Sequence, residues 1–257
     1  MNRENIIKNL QRILTIIAIG VFLYSGYTLS IILYGYYENR QVLAEAHEIY
    51  HSEVTRTETI ESTGQIRDQF DSLREINSDI IGWITIEETQ IDYPILQEEN
   101  NDYYLNRNYK KEESRAGSIF MDYRNDINSE TNKNIILYGH RMKDGSMFGQ
   151  LKKYLSEEFF ESGNKVYLDT LYEGFSLEVF SVYQTTSDFY YIQTDFNEEN
   201  DFMTFIEGLR DKSLYQSNVS ISDEDTIVTL STCDYSLDNN NGRLVVHAKL
   251  VQREASE

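Results

Sequence analysis

The 257 residues carry 43 Asp and Glu against 23 Lys and Arg, a formal net charge of −20, which argues against nucleic-acid partners and against electrostatic docking on anionic lipid, since both need basic patches. One cysteine, one proline and twenty tyrosines describe a β-leaning, tyrosine-rich domain without a disulfide framework. The cysteine and the four histidines show no metal-ligand spacing, so no cofactor and no metal are expected.

Arg3, Lys8 and Arg12 precede a run from Ile13 to Gly35 that has no charged side chain. About 20 such residues span a bilayer as a helix. Basic residues ahead of the span hold that end in the cytoplasm, which puts everything after Glu38 outside the cell. The run continues through Tyr24, Tyr27, Tyr34, Tyr36 and Tyr37, which favours a retained anchor over a cleaved signal peptide. A helix packed on a soluble domain would show a polar stripe, and this one has none. The expected organisation is a cytoplasmic N-terminus (1–12), a transmembrane anchor (13–35), a helical stalk and N-terminal helical elaboration (36–75) and a single barrel domain (76–257).

From Glu38 to about Ile76 the spacing predicts helix. Leu43, Ala46, Ile49 and Tyr50 share one face, and Ile66, Phe70 and Leu73 recur at helical spacing. His47 and His51, four apart, read as a solvated face, because two imidazoles alone do not make a metal site. After Asn77 the pattern turns to short strands at Gly82–Ile86, Ile91–Ile95, Gly117–Met121, Asn134–Tyr138, Lys165–Leu168 and Phe175–Tyr183, bounded by turn residues. Two helices interrupt them, Phe148–Tyr154 and Glu198–Leu214, the second with Phe202, Phe205, Ile206 and Leu209 on one stripe. Thr226–Cys233 and Arg243–Val251 close the chain as strands. Many short strands with few helices predict a mainly β fold, a closed or partly closed barrel.

A lone thiol in an exported chain has no structural disulfide to form, so Cys233 reads as a nucleophile. Strand alternation puts Cys233 on the face of Ser231 and Thr229, with Val228 and Leu230 opposite, and the polar face is expected to open on a cleft. Arg243, Val245 and His247 share a face in the same way. If the last two strands pair through the loop Asp234–Gly242, Arg243 arrives beside Cys233, where a permanently charged guanidinium suits a thiolate or an oxyanion. A strand-edge charge paired with an Asp of the loop is the other reading of Arg243. A thiol nucleophile also needs a proton acceptor, which His140 or His247 can supply. His140 is preferred, because it follows a strand and a glycine, where a rigid scaffold presents reactive groups on loops.

Thr229-Leu-Ser-Thr-Cys233, Gly242-Arg-Leu-Val-Val246 and Leu137-Tyr-Gly-His140 together resemble the sortase signature. The surrounding sequence resembles class B sortases of Gram-positive bacteria, through Gly82-Trp-Ile84, Ile91–Gln97, Tyr103-Tyr-Leu105, Gly117–Asp122, His140–Phe148 and Tyr191–Asp195, over about residues 76 to 251. The resemblance implies an eight-stranded sortase barrel with N-terminal helices and a helix before the penultimate strand. It also implies a cysteine transpeptidase. Cys233 would attack a C-terminal sorting signal to give a thioacyl enzyme, and a peptidoglycan amine would then release the surface protein onto the cell wall. His140 would serve as acid and base and Arg243 would hold the carbonyl oxygen, while Ser231, Leu105, Tyr191 and Ile192 would line the signal-peptide groove. The helix Glu198–Leu214 and its flanking loop are offered as the shield of the thioester against water. Some class B members carry an acid two positions after the cysteine; here that position is Tyr235, and Asp234 reads as a turn residue. The alternatives are a pilin-polymerising sortase, an extracellular cysteine protease and a non-enzymatic, membrane-tethered binding module.

Overall fold

The computed structural model describes residues 3–54, 65–127, 129, 132–186, 188–196, 201–233, 237–238 and 241–253. The chain divides into two units, 1–41 and 42–257, and helix α1 (Arg3–Val54) runs through both. The helix expected on either side of residue 35 is continuous as far as Val54, because nothing between Gly35 and Val54 breaks it: there is no proline and no further glycine. In the first unit, Leu14, Ile17, Val21 and Phe22 are exposed. Among the described residues α1 is the one helix long and apolar enough to cross a membrane, by length and composition.

The second unit is built on a closed barrel. Its strands are β1 (Ile80–Ile86), β2 (Asp92–Leu96), β3 (Ile119–Met121), β4 (Asn134–Tyr138), β5 (Val166–Thr170), β6 (Gly174–Thr186), β7 (Ile227–Cys233) and β8 (Gly242–Gln252). They close in the order β1-β2-β3-β4-β7-β8-β6-β5. Closure leaves no unpaired edge, which is the usual way a sheet this large avoids exposing a ladder of free backbone groups. The pairs β2/β3 and β4/β7 are parallel; the others are antiparallel. Three helices join the barrel in addition to the end of α1: α2 (Asp71–Ile76), α3 (Glu157–Glu161) and α4 (Asp201–Lys212). As expected, α4 precedes the penultimate strand. The segment expected as a helix at Phe148–Tyr154 is a 3-10 helix, Phe148–Leu155.

Strand alternation sorts the apolar side chains into separate cores. Ile84, Leu137, Leu168, Val182, Val228, Leu230, Leu244 and Val246 fill the barrel interior. Outside it, Ala46 and Tyr50 of α1 pack with Phe70, Leu73 and Trp83, and the Tyr50 and Trp83 rings stack at 4.2 Å and 3°. Such a pair contributes about 0.5–1.5 kcal/mol beyond the area it buries. On the opposite flank α4 lays Phe202, Ile206 and Leu209 against Phe180, Tyr183, Ile227 and Val245. A register shift between Val179 and Ser181 against β8 changes the phase of β6, so that Leu177 and Val179 before it and Val182 after it all face the barrel core while Phe180 and Tyr183 lie in this outer layer.

This outer layer corrects one expectation. The Thr229 and Ser231 face of β7 does not open on a cleft; both residues are buried, and α4 and the segment 188–193 cover that side. The stripe of α4 needed an apolar surface, and Ile227, Val245 and Phe180 supply it around the polar pair. Only the last residue of the strand, Cys233, emerges half-exposed.

Candidate active site

Three adjacent strands end together. Cys233 is the last residue of β7 and lies directly across from Arg243 of β8. On its other side β7 pairs in parallel with β4, Tyr138 opposite Ser231. The ladder continues one step as the Gly139 amide donates to the Ser231 carbonyl at 3.2 Å, and the Thr232 hydroxyl donates to the Gly139 carbonyl at 2.7 Å. Two residues past Tyr138, His140 therefore reaches the level of Cys233. All three side chains are half-buried at the rim of a buried sheet.

Glycine is required just before His140. A Cβ on Gly139 would collide with the side chains of Ile119 and Phe148. The imidazole itself is oriented from a different element. Its Nε2 donates to the Leu105 carbonyl at 2.7 Å, within the 3-10 helix Tyr103–Asn106. A carbonyl only accepts, so Nε2 carries the hydrogen and Nδ1 is the basic nitrogen of the neutral ring.

Tyr191 links the candidate residues. Its hydroxyl shares a 2.8 Å hydrogen bond with Ser231 Oγ. Burial pushes the phenol up, Ser231 and the Arg243 guanidinium pull it back, and Cys233 raises it further, so Tyr191 lies within electrostatic reach of both Cys233 and Arg243. Leu105 and Ile192 are half-buried nearby in chain terms, Leu105 through the His140 bond and Ile192 beside Tyr191. Asp234 and Tyr235 lie outside the described residues. Asp238 accepts from the Asn241 amide at 2.6 Å and from the Gly242 amide at 3.3 Å, closing the turn into β8.

A network that the sequence did not suggest holds the segment Tyr190–Gln193 in place. Arg124 grips the fully buried Asp122 with two 2.8 Å bonds and donates to the Ile192 carbonyl at 3.1 Å and the Tyr190 hydroxyl at 3.3 Å. Tyr138 donates to the same carboxylate at 2.8 Å. Burial works to raise the Asp122 carboxyl, but the Arg124 and Tyr138 bonds prevail and hold it low. From the other side Asn134 donates to the Gln193 carbonyl at 2.9 Å. An Asp at the end of a strand with an Arg two positions later was the available signal.

His247 shares a face with Arg243 but cannot serve Cys233. It pairs with Thr229, four residues back along β7, and is fully buried. Thr229 spends its only hydroxyl hydrogen on Asn134 Oδ1 at 2.6 Å, so it accepts from His247 Nδ1 at 2.8 Å, and His247 Nε2 accepts from the Tyr183 hydroxyl at 2.8 Å. The ring is neutral, and burial pulls its pKa down to about 3 from 6.5. In the unfolded chain the ring binds a proton below about pH 6.5, whereas the folded ring does not until about 3. Stability is therefore fully present above pH 6.5 and falls as pH drops through that window, at about 1.4 kcal/mol per unit from this group. Denaturant midpoints of the full-length chain at pH 7, 6 and 5 are expected to fall more steeply than those of His247→Gln. Parallel curves would remove this assignment.

A sequence profile of the Sortase domain matches residues 84–251. The chain belongs to the sortase family. Sortase B of Listeria monocytogenes is 45% identical over 244 residues, 95% of this chain and 98% of its own. The structure of sortase B from B. anthracis superposes with a TM-score of 0.77 at 57% identity, covering 86% of this chain and all of that one. A Staphylococcus aureus sortase B–substrate complex superposes with a TM-score of 0.77 at 36% identity, over 84% and 98% of the two chains. The protein is thus a class B sortase, a cysteine transpeptidase, and the protease and binding-module readings are set aside. The sortase barrel with its N-terminal helices and its helix before β7 is the architecture described above.

Proposed function

We propose that this sortase joins surface proteins to the cell wall through a thioester on Cys233. The observation that carries the reading is the row formed by His140, Cys233 and Arg243 at one end of β4, β7 and β8. The Cys233 sulfur, as thiolate, attacks the backbone carbonyl carbon of a C-terminal sorting signal. The oxyanion that forms accepts hydrogen bonds from the Arg243 guanidinium. As the carbon–nitrogen bond breaks, His140 gives its Nδ1 proton to the leaving amine, and the acyl group stays on sulfur. A peptidoglycan amine then attacks the thioester and passes a proton to His140. The new amide forms as the thiolate leaves.

Leu105, Tyr191 and Ile192 line the groove for the signal peptide in this reading. Ser231 acts from behind, by holding the Tyr191 hydroxyl. The segment Tyr190–Gln193, tied down by Arg124 and Asn134, carries the Tyr191 hydroxyl that bonds Ser231 two residues before Cys233, so the shielding of the thioester is assigned to that loop. The apolar run of α1 anchors the enzyme in the membrane with its N-terminus in the cytoplasm and the barrel outside.

The test uses full-length chain in detergent with a small library of sorting pentapeptides. Intact-mass spectrometry is expected to find the N-terminal peptide fragment on the chain. Hydroxylamine is expected to release it as a hydroxamate, and an amine-bearing peptide to convert it to an amide. Peptide cleavage with no chain-bound fragment and no amide product would refute the acyl-transfer reading.

A further inference from the structure

The end of α1 meets the barrel at a cluster that plays no part in the proposed acyl transfer. Helical spacing places His47 and His51 on one face, with ring centroids 4.2 Å apart. Both Nε2 atoms lie 2.9 Å from one atom, Oδ2 of Asp92, the first residue of β2. The three donor atoms lie within 4.8 Å of one another. No third partner for the two histidines is visible in the sequence, because Asp92 stands 41 positions beyond His51 and only the docking of the helix brings it in.

The carboxylate is held for this purpose from behind. Its other oxygen, Oδ1, accepts from Trp83 Nε1 at 2.5 Å and from Thr85 Oγ1 at 2.8 Å. Oδ2 is thereby turned to the two rings, the arrangement by which neighbouring bonds orient metal ligands. Around a tetrahedral ion with bonds of about 2.0–2.2 Å, ligand atoms stand about 3.3 Å apart. The two Nε2–Oδ2 distances of 2.9 Å need an opening of only a few tenths of an ångström, and the two ring nitrogens already lie within 4.8 Å of each other. The side chains are 53%, 41% and 21% exposed for His47, His51 and Asp92, so an ion reaches them from solution and keeps a position for water.

We propose that His47, His51 and Asp92 bind one divalent transition-metal ion of the zinc class, which fastens the last turns of α1 to β2. Two imidazoles and one carboxylate suit zinc, cobalt or nickel; calcium and magnesium ask for a shell of oxygens. An ion needs both rings unprotonated, and it replaces two hydrogens that otherwise compete for a single oxygen. The strongly acidic chain draws cations to its surface.

The test is calorimetric titration of Zn²⁺ into the untagged full-length chain in detergent, carrying Cys233→Ala so that the thiol does not bind the ion. One ion per chain is expected. In that background His47→Gln, at an exposed position, and His51→Gln, at a half-buried one, are expected to weaken binding at least tenfold, with unchanged circular dichroism, while His140→Gln leaves it intact. Co²⁺ is expected to give the intense visible bands of a tetrahedral site, lost in the same two variants. Absence of binding, binding unchanged in His47→Gln and His51→Gln, or loss confined to His140→Gln would each overturn the site.

Discussion

Replacing Cys233 with alanine is expected to bring sorting-peptide cleavage to the uncatalysed rate. In the proposed mechanism the sulfur forms the acyl bond, while His140 supplies a proton and Arg243 a charge. Cys233→Ser is expected to lose at least about 10³-fold, because a hydroxyl is far less ionised than a thiol at neutral pH and the same imidazole cannot make up the difference. On the proposed mechanism, His140→Ala is expected to lose about 10²–10⁴-fold, as an acid and base would. Arg243→Met is expected to lose about 10²–10³-fold, as an oxyanion donor would. These losses do not add. In the Cys233→Ala background a second change at His140 is expected to cost nothing more, since the residues act as one unit. Cys233 is half-buried beside Arg243, so the alanine leaves no large cavity and a thermal melt separates misfolding from lost chemistry. A Cys233→Ala chain that cleaves at a rate comparable to the native enzyme would take the thiol out of the mechanism.

Gly117→Ala is expected to damage both stability and turnover from a position remote in sequence. Gly117 has φ +59, and a Cβ there would lie 2.5 Å from the Leu105 carbonyl oxygen and 2.7 Å from that of Tyr104. Neither backbone can yield easily. Tyr104 is almost fully buried, and its carbonyl accepts from the Ser118 amide at 3.0 Å. The Leu105 carbonyl is the group that holds His140. The strained conformation and the clash together are expected to cost about 1–3 kcal/mol. If the carbonyl shifts by about an ångström, turnover falls about 10²-fold through the misplaced imidazole. Two measurements separate the effects, a denaturant midpoint and the pH profile of kcat. A merely looser fold moves the midpoint alone, whereas a displaced His140 also moves the basic and acidic limbs of the profile. A destabilised variant with the native profile would show that Leu105 does not position the ring.

Much of this was legible in the chain because the relevant contacts are local. Alternation around Cys233 and Arg243 and the short loop between them were enough to place the two residues opposite each other, and the register bears that out. The position of His140 was readable only as a strand end. Its partner strand is parallel, and a parallel pair leaves no turn in the sequence to mark it. The change of phase along β6 was not legible, because a bulge between Val179 and Ser181 breaks the two-residue period. Helix α3, Glu-Glu-Phe-Phe-Glu, is too short to show a stripe. The burial of Thr229 and Ser231 was missed for another reason. Polar side chains on a strand look solvent-facing unless the hydrogen-bond partners that permit their burial are known, and here those are Asn134, His247 and Tyr191, drawn from three separate parts of the chain. The Asp122–Arg124 clamp and the Asp92 contact with α1 are likewise products of tertiary structure.

The two neighbours of Cys233 differ in the length of chain that must be ordered before they meet it. Arg243 is ten positions away across a single antiparallel connection. His140 is reached through a parallel pairing between segments 93 positions apart, and β5, β6 and α4 lie in the interval. Loop-closure entropy and contact order favour the short connection first and the long one last. By that argument Arg243 is expected to reach Cys233 before His140 does, so a partly formed chain is expected to lack the proposed thiol–imidazole pair until β4 docks on β7.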